Sequence, residues 1–432
     1  MKMRIERIFA LVLGAALFAA GPAPAAKASS DNTYEQLKLL VDILGYVQDN
    51  YVDEVDSQHL IYGAASGMTR TLDPYSQFLE PEMHREMKTE TEGQFGGVGL
   101  RLNIKDEWLT VLTPMPGSPA YRLGLLPNDR IVEIDGASAK DLDMSDALKR
   151  LRGAPGTKVK LKVLRGPDGA GESAWKSSDF EIVRELVKIE SVVRLALDGG
   201  VGYVRITEFS AKTVDDLTDA LKQLKKEGAN SLVLDLRNNP GGLLSSAVET
   251  ASLFLGGGKL IVYTQGRKAE NRQDFTAGAK APYAEMPLVV LVNGGSASGS
   301  EIVAGAMQDH KRAVVVGQRS YGKASVQSLI PLPDGSGLRL TVARYFTPSG
   351  RSIHRDEKHK TGGISPDIAV EISPEAEAKL YAQWETIYAK GVKPRSAVKP
   401  EDSVRDEALD RASELLKARD VLGVLKTAPP AP

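Results

Sequence analysis

The second half of the chain alternates short apolar runs with amphipathic segments. From about Gly200 the apolar runs are rich in β-branched residues, as is typical of buried strands, and they include "SLVLDLR", "PLVVLVNG" and "AVVVGQ". The segments between them have helical spacing, as in "TVDDLTDALKQLKKEG", "LLSSAVETASLFL" and "GSEIVAGAMQDH". Strands buried on both faces read as continuous apolar runs, so this alternation predicts an α/β domain with a largely parallel sheet. We assign residues 168–372 to this α/β core.

Three further segments have other patterns. Residues 29–92 place apolar residues at helical spacing from Leu37 to Val47, which predicts a helical region that we expect to support dimerisation. Residues 93–167 alternate with period two around glycine turns and the short helix "DMSDALKRLRG", which predicts an inserted β-rich module. Residues 373–432 are charged and helical and close on a Pro/Ala tail that we expect to be disordered.

Residues 1–28 have the composition of a signal peptide. The basic stretch "MKMRIER" precedes the apolar stretch "IFALVLGAALFAA", and small residues offer cleavage sites at Ala25 or Ala28. The apolar stretch is shorter than the roughly 20 residues of a membrane span. The sequence therefore predicts export to the periplasm of a bacterium, with an uncleaved membrane anchor as the alternative.

Charge and cysteine content exclude several function classes. The net charge is -1 at pH 7, so the chain lacks the basic excess typical of nucleic-acid binders, and we expect no nucleic-acid partner. The chain contains no cysteine, which excludes disulfides, thiolate nucleophiles and a lipid-bearing cysteine. The five histidines, with no cysteine beside them, show no metal-ligand spacing, so we expect no metal and no cofactor.

Three serines crowd the start of a predicted helix, directly after an apolar strand. In "NGGSASGSEIVAGAMQDH" these are Ser296, Ser298 and Ser300. Ser298 and Glu301 match the Ser-x-x-Glu capping box, which satisfies free N–H groups at a helix start. A hydroxyl at that place is also positioned to act as a nucleophile. The local sequence leaves both interpretations open.

A second stretch, "GQRSYGKASVQ", contains the frame of a phosphate-binding P-loop. Ala324 follows Lys323 where a P-loop needs a hydroxyl for Mg²⁺, and "ASVQSLIPLP" predicts a strand where a P-loop opens a helix. Lys323 has no acidic neighbour in this stretch, so burial would lower its pKa and make it a base for a serine hydroxyl. Gln327, four residues on along a strand, would share a face with Lys323 and orient its amine.

Acyl transfer also needs donors for an oxyanion. "LRNNPGGLL" places Gly241 and Gly242 between a strand and a helix, where backbone N–H groups are free, and the N–H of Gly299 would be a second donor. A plain strand-to-helix turn is the alternative interpretation of the two glycines.

At this point the sequence resembles the carboxyl-terminal processing proteases, also called tail-specific proteases, a Ser–Lys peptidase family. The motifs that carry the resemblance are "LDPYSQFL", "GGVGLRL", "SPAYRLGLLPNDRIVEIDG", "LRGAPGTKVKL", "DLRNNPGGLL", "NGGSASGSEIVAGAMQDH", "GQRSYGKASVQ" and "YFTPSGRSIHRDEKHKTGGISPDI". The resemblance implies an α/β crotonase-like (ClpP/crotonase) core, with Ser298 as nucleophile, Lys323 as base and Gln327 as the residue that orients the base. Gly299 departs from the usual alanine of the family and Ala324 from a frequent glycine.

The β-rich module is similar to a PDZ domain. "GGVGL" matches the PDZ loop that binds a terminal carboxylate through backbone N–H groups, which would make Gly97, Val98, Gly99 and Leu100 binding residues. Arg152, after the helix of the module, would couple substrate docking to the active site.

Together these features predict a periplasmic serine endopeptidase that recognises exposed protein C-termini and cuts near them. We expect it to form a homo-oligomer and to respond to an adaptor or regulatory partner. A catalytically silent PDZ scaffold and a coenzyme-A-using crotonase enzyme are the alternatives.

Overall fold

A computed structural model describes residues 30–105, 107–115, 117–140, 142–166, 175–188, 190–355, 361–373, 375–377, 379–380, 383–384 and 404–427. The predicted signal peptide, residues 1–28, and the Pro/Ala tail after residue 427 lie outside the described residues. The chain divides into two compact units, Met1–Gly67 and Met68–Pro432. Within the described part of the chain, none of the helices combines the length and apolar character that crossing a bilayer requires.

The first unit contains helix α1, Ser30–Asn50, and most of helix α2, Ser57–Arg70. Large apolar side chains of α1 are exposed, among them those of Tyr34, Leu37 and Val41. Both helices occupy the region whose spacing predicts helices.

The core sheet of the second unit has six strands in the order β10-β11-β12-β15-β16-β19. These are Val192–Leu197, Val201–Ile206, Ser231–Asp235, Leu288–Val292, Val314–Gly317 and Ile368–Ala369. From β11 to β19 the strands are parallel, and β10 is antiparallel to β11. The predicted parallel sheet is confirmed.

Helices cover both faces of this sheet, which explains why β11, β12 and β15 are buried along their whole length. In β15, Leu288, Val290 and Val292 pack against α6, α7 and α8, which are Thr213–Lys226, Leu244–Ser252 and Gly299–Asp309. Val289 and Leu291 of the same strand pack on the opposite face, where the apolar cluster includes residues of the last helix, α9, Glu407–Thr427.

A second, antiparallel sheet has the order β1-β18-β13-β14, with β17 paired to β18. Its strands are Gln77–Leu79, Gly337–Phe346, Leu260–Gly266, Arg272–Thr276 and Ser325–Pro331. Helix α3, Pro81–Thr91, follows β1.

The β-rich module has its own sheet and its own apolar core. The sheet has the order β3-β4-β5-β7-β8, and β6 pairs with β5; the strands are Leu100–Lys105, Trp108–Pro114, Arg130–Ile134, Lys158–Arg165, Lys176–Val183 and Ala137–Ser138. Helices α4, Pro119–Arg122, and α5, Met144–Leu151, complete it. A two-stranded ribbon of β2, Gln94–Gly97, and β9, Glu185–Lys188, lies between the module and the core.

The module extends beyond its predicted end at residue 167. Strand β8 pairs with β7 over eight residue pairs, and Ile182 is fully buried in the core of the module. The sequence places a turn-rich stretch after residue 166, and such a stretch signals a hairpin connection as readily as a domain exit. The hydrophobic pattern alone therefore sets the boundary too early.

Candidate active site

The predicted site residues gather at one edge of the core sheet. The segment after β12 contains Gly241 and Gly242 and is called the glycine turn. The segment after β15 contains Ser296 and Ser298 and is called the serine loop. The segment after β16 contains Lys323. Because β12, β15 and β16 are parallel neighbours, their carboxyl ends meet at the same edge, where open α/β sheets bind their ligands.

Two of the three serines have structural roles. The Ser296 hydroxyl donates to the carbonyl of Leu236 at 2.8 Å, and the Ser300 hydroxyl donates to the carbonyl of Asn239 at 2.9 Å. Both bonds fasten the serine loop to the segment after β12. The hydroxyl of Ser298 is therefore the one left for chemistry.

Ser298 sits at the N-terminus of α8 in a strained conformation. Its φ is 53°, in the left-handed region that residues other than glycine seldom adopt. Its side chain is 8% exposed. Burial raises the pKa of the nearby Tyr345 to about 12, an effect that a hydrogen bond to Ser298 partly offsets. The phenol of Tyr345 thus stays protonated at neutral pH while it contacts the nucleophile predicted from the sequence.

Glu301, three residues into the helix, does more than cap it. The N–H of Ser298 donates to its carboxylate at 2.8 Å, which is one half of the predicted capping box. The same carboxylate accepts from the N–H of Gly322 at 2.7 Å, from the N–H of Lys323 at 2.9 Å and from the hydroxyl of Ser320 at 2.5 Å. One buried carboxylate therefore ties the nucleophile segment to the segment of the predicted base.

Lys323 is half-buried, and its amine faces the ring of Tyr75 at 4.9 Å from the ring centroid. Burial lowers the pKa of Lys323, Arg339 lowers it further, and the Glu301 carboxylate opposes both. The stretch "GQRSYGKASVQ" contains no acidic residue; the acid that acts on Lys323 is Glu301 of α8. Within the described residues, the structure records no hydrogen bond from the Lys323 amine to Ser298.

The predicted contact between Gln327 and Lys323 is not formed in this structure. Among the described residues, the buried Nε2 of Gln327 has no hydrogen-bond partner. Lys323 lies before β17, which begins at Ser325, and the pairing of β17 with β18 is irregular between Val326 and Gln327. The simple alternation that would place both side chains on one face therefore does not hold. Because β17 is a strand, the P-loop interpretation is excluded as well.

The glycine turn is locked against the serine loop. A Cβ on Gly241 would lie 2.7 Å from the Cβ of Ser298, and a Cβ on Gly242 would lie 2.2 Å from the carbonyl oxygen of Phe209. The Gly241 N–H already donates to Oδ1 of Asn239 at 2.8 Å. The N–H of Gly241 is therefore not free to bind an oxyanion. The absence of a side chain at Gly241 allows the glycine turn to lie against Ser298.

The other two predicted donors remain available. Within the described part of the chain, no hydrogen bond is recorded from the N–H of Gly242 or of Gly299. Gly299 is the first residue of α8, whose first N–H groups have no partner inside the helix. A Cβ on Gly299 would lie 2.9 Å from the ring of Phe209, so the glycine found here in place of alanine gives that ring room.

A cavity of about 210 Å³ lies in the β-rich module between β3 and α5. Val98, Gly99 and Leu100 line it, whereas Gly97 belongs to β2 and pairs with Glu185. The other lining residues are mostly apolar: Phe95, Arg101, Leu102, Met115, Leu148, Leu151 and Arg152. The Arg152 guanidinium stands 5.2 Å from the Phe95 ring centroid. Arg152 is thus part of the groove wall.

Three residues of the site were not singled out in the sequence. Tyr75 and Tyr345 lie far from Ser298 along the chain, and Arg339 reaches the site from β18. Tyr75 and Tyr345 belong to quoted motifs, "LDPYSQFL" and "YFTPSGRSIH", but nothing local in those motifs indicates a role. The sequence pattern predicts only a helix-capping role for Glu301.

Three family models match: Peptidase family S41 over residues 200–370, a PDZ domain over residues 110–165 and the activating protease CtpB N-terminal domain over residues 19–83. The matched PDZ range lies inside the β-rich module, and the S41 range contains Ser298 and Lys323.

Two curated relatives are similar over most of their length. A carboxy-terminal-processing protease of Bartonella bacilliformis is 40% identical over 348 residues, 79% of this chain and 77% of that protein. A carboxyl-terminal-processing protease of Synechocystis is 38% identical over 388 residues, covering 84% and 86%. A solved structure of a Bacteroides fragilis protein assigned to the S41 proteases is 17% identical, with a TM-score of 0.50 and coverage of 86% and 92%. That likeness concerns the fold alone.

Proposed function

The chain belongs to peptidase family S41, among the carboxyl-terminal processing proteases with a PDZ domain, and from this premise we propose how its residues perform the reaction. It is a serine-type peptidase that cleaves proteins near their C-termini. The observation that supports the assignment of roles is the Glu301 carboxylate, which binds the backbone N–H groups of both Ser298 and Lys323. Nucleophile and base thereby lie on segments that share one anchor.

In the proposed reaction, the neutral amine of Lys323 removes the hydroxyl proton of Ser298 as the oxygen attacks the peptide carbonyl. The N–H groups of Gly242 and Gly299 stabilise the oxyanion of the tetrahedral intermediate. The lysine ammonium then gives its proton to the leaving amine, which departs and leaves an acyl-enzyme on Ser298. Lys323 next removes a proton from water, which attacks the ester, and the proton returns to Ser298 as the new C-terminus is released.

The side chains must move before this reaction can occur. The Lys323 amine rests against Tyr75, so a rotation about its side-chain bonds is needed to bring it to Ser298. We propose that Gln327 then orients the amine by accepting a hydrogen bond from it, which would give the side chain whose buried Nε2 has no partner among the described residues a role in the active arrangement.

The PDZ groove is proposed to bind the C-terminus of the substrate. The apolar lining favours an apolar last residue, and the loop at Val98, Gly99 and Leu100 offers backbone N–H groups to its carboxylate. Arg152 in the groove wall would sense this carboxylate and couple docking to cleavage.

We compare one peptide with a free C-terminus and the same peptide with a C-terminal amide, and expect kcat/KM to fall for the amide. If Arg152→Ala leaves cleavage of the free-tail peptide unchanged, the coupling role is rejected.

A crotonase-like core and self-association are two further proposals. The parallel sheet with helices on both faces supports a crotonase-like core, which superposition on a solved crotonase fold would test. The exposed apolar side chains of Leu37 and Val41 support self-association through α1. Light scattering of the wild type and of Leu37→Glu would test it. A regulatory partner is proposed for the same surface.

Export to the periplasm is proposed from the signal-like composition of residues 1–28. Cell fractionation and N-terminal sequencing of the mature protein distinguish a cleaved signal from a retained anchor.

One experiment separates the peptidase from a silent PDZ scaffold. The purified wild type and Ser298→Ala are incubated with bacterial envelope extract, and protein C-termini are identified by mass spectrometry. We expect new C-termini with the wild type only. The same new termini with Ser298→Ala would reject Ser298 as the nucleophile.

A further inference from the structure

Tyr75 is held in a fixed place beside the predicted base. The Asp73 carboxylate accepts from the N–H groups of Tyr75 and Ser76, each at 2.8 Å, and closes a tight turn. Arg339 Nε donates to the carbonyl of Tyr75 at 3.0 Å. Immediately after this turn, β1 pairs with β18. The backbone of Tyr75 is therefore held in place independently of Lys323, and the hydroxyl of its ring is hydrogen-bonded to Tyr321.

The face of this ring is presented to the Lys323 amine. The amine lies 4.9 Å from the ring centroid, within the range of a cation–π contact. Within the described residues, the structure records neither a hydrogen bond nor an ion pair for that amine. The ring is thus the main recorded partner of the amine in this conformation.

An aromatic face distinguishes the two protonation states of a lysine. The ring quadrupole attracts an ammonium ion and has little attraction for a neutral amine. Burial raises the pKa of Tyr75 to about 12, and a hydrogen bond with Tyr321 adds to this, so the phenol is neutral at physiological pH. The neutral ring therefore favours the protonated lysine, which is the form that cannot accept a proton from Ser298.

We propose that Tyr75 is a positioning residue that holds the Lys323 ammonium out of hydrogen-bond contact with Ser298 until the amine is released to act as the base. This inference rests on the proposed role of Lys323. Because β1 and the Asp73 turn hold the backbone that carries the ring, a displacement of β1 from β18 would move the ring away from the amine. Tyr75 thereby sets how much of the enzyme has its base free at a given pH.

Other groups also face Lys323, and the test must separate them from the ring. Arg339 on β18 disfavours the ammonium, and Glu301 on α8 favours it. Asp73 acts on both Tyr75 and Arg339. Replacing Tyr75 with leucine leaves these charges in place and keeps apolar cover over the amine. Replacing it with phenylalanine keeps the ring and removes only the hydroxyl.

The experiment measures the titration of Lys323 directly. Full-length wild type, Tyr75→Leu and Tyr75→Phe are prepared with [ε-¹³C]lysine, and the Lys323 signal is assigned from a Lys323→Arg spectrum. We expect the titration midpoint to fall by about half to one pH unit in Tyr75→Leu, as loss of a cation–π contact implies, and to stay at the wild-type value in Tyr75→Phe. Equal midpoints in all three proteins, or a higher midpoint in Tyr75→Leu, would overturn the proposal.

Cleavage of fluorescein-labelled casein provides the second readout. The acid limb of kcat/KM against pH reports the pKa of the base in the free enzyme. It should move to lower pH in Tyr75→Leu and not in Tyr75→Phe, whereas a merely structural role would lower the plateau without moving the limb. Ser298→Ala separates a failure of the proposed function from a failure of the proposed role of Tyr75. If Ser298→Ala still cleaves, the proposed function fails; if it is inactive but the titration midpoints coincide, only the role of Tyr75 fails.

Discussion

Replacing Glu301 with glutamine removes the shared anchor of the nucleophile and base segments while preserving its shape. One carboxylate oxygen accepts from Ser320 and Gly322, and the other accepts from Ser298 and Lys323. Burial raises the pKa of Glu301, and these four contacts oppose the rise because each of them favours the carboxylate. In one orientation the NH₂ group of the glutamine faces the N–H groups of Ser298 and Lys323; in the other it faces the N–H of Gly322 and the hydroxyl of Ser320, which can turn to accept.

The size of the effect follows from this geometry. One or two hydrogen bonds to a charged group are lost, each contributing about 1.5–3 kcal/mol, and the donors left without an acceptor are buried. The neutral amide is cheaper to bury than the carboxylate of Glu301, which is fully buried, and this offsets part of the loss. We expect the free energy of unfolding to fall by about 2–4 kcal/mol. Displacement of Ser298 and Lys323 should lower kcat by about 10²-fold.

The assay pairs thermal unfolding with casein cleavage for wild type, Glu301→Gln and Glu249→Gln. Glu249 lies on the exposed face of α7, so its substitution makes the same chemical change without buried donors. Wild-type behaviour is expected for Glu249→Gln. Wild-type unfolding and wild-type kcat in Glu301→Gln would refute the anchoring role of the carboxylate.

Two further predictions concern the turn and the base. Gly242→Ala should abolish activity, because its Cβ would lie 2.2 Å from the carbonyl oxygen of Phe209. Gly294→Ala should stay active, because the space around its Cβ is open. Equal casein cleavage by both variants would contradict this prediction. Burial lowers the pKa of Lys323, and its neutral amine is the base. The value of kcat/KM should therefore rise with pH, with a midpoint below the pKa of free lysine. A rate that does not change with pH would contradict the role of the amine.

Local sequence rules located the elements that carry the site. The apolar run before the serines and the Ser-x-x-Glu pattern placed Ser298 at the start of a helix, and α8 begins at the next residue. The glycine pair after "SLVLDLR" predicts oxyanion donors beside the nucleophile, and the structure places Gly241 against Ser298, although its N–H is bound to Asn239. These features depend on neighbours in the chain, so hydrophobic period and backbone chemistry are enough to find them.

The same rules do not predict contacts between segments that are distant in the chain. Tyr75 meets Lys323 because β1 pairs with β18, and no periodicity predicts which strands of a mixed sheet become neighbours. The expected contact of Lys323 with Gln327 assumed a regular strand, but β17 begins after the lysine and its pairing is irregular at Gln327. A strand irregularity of this kind leaves no signature in the apolar pattern.

The most direct test of the central claim is a kinetic cycle on Ser298 and Lys323. We measure kcat/KM for a free-tail peptide with wild type, Ser298→Ala, Lys323→Ala and the double variant. If hydroxyl and amine act as one unit, each single variant should lose about 10³-fold or more and the double variant should lose no more than either. Losses that multiply in the double variant, or a Lys323→Ala enzyme that retains cleavage, would contradict the account.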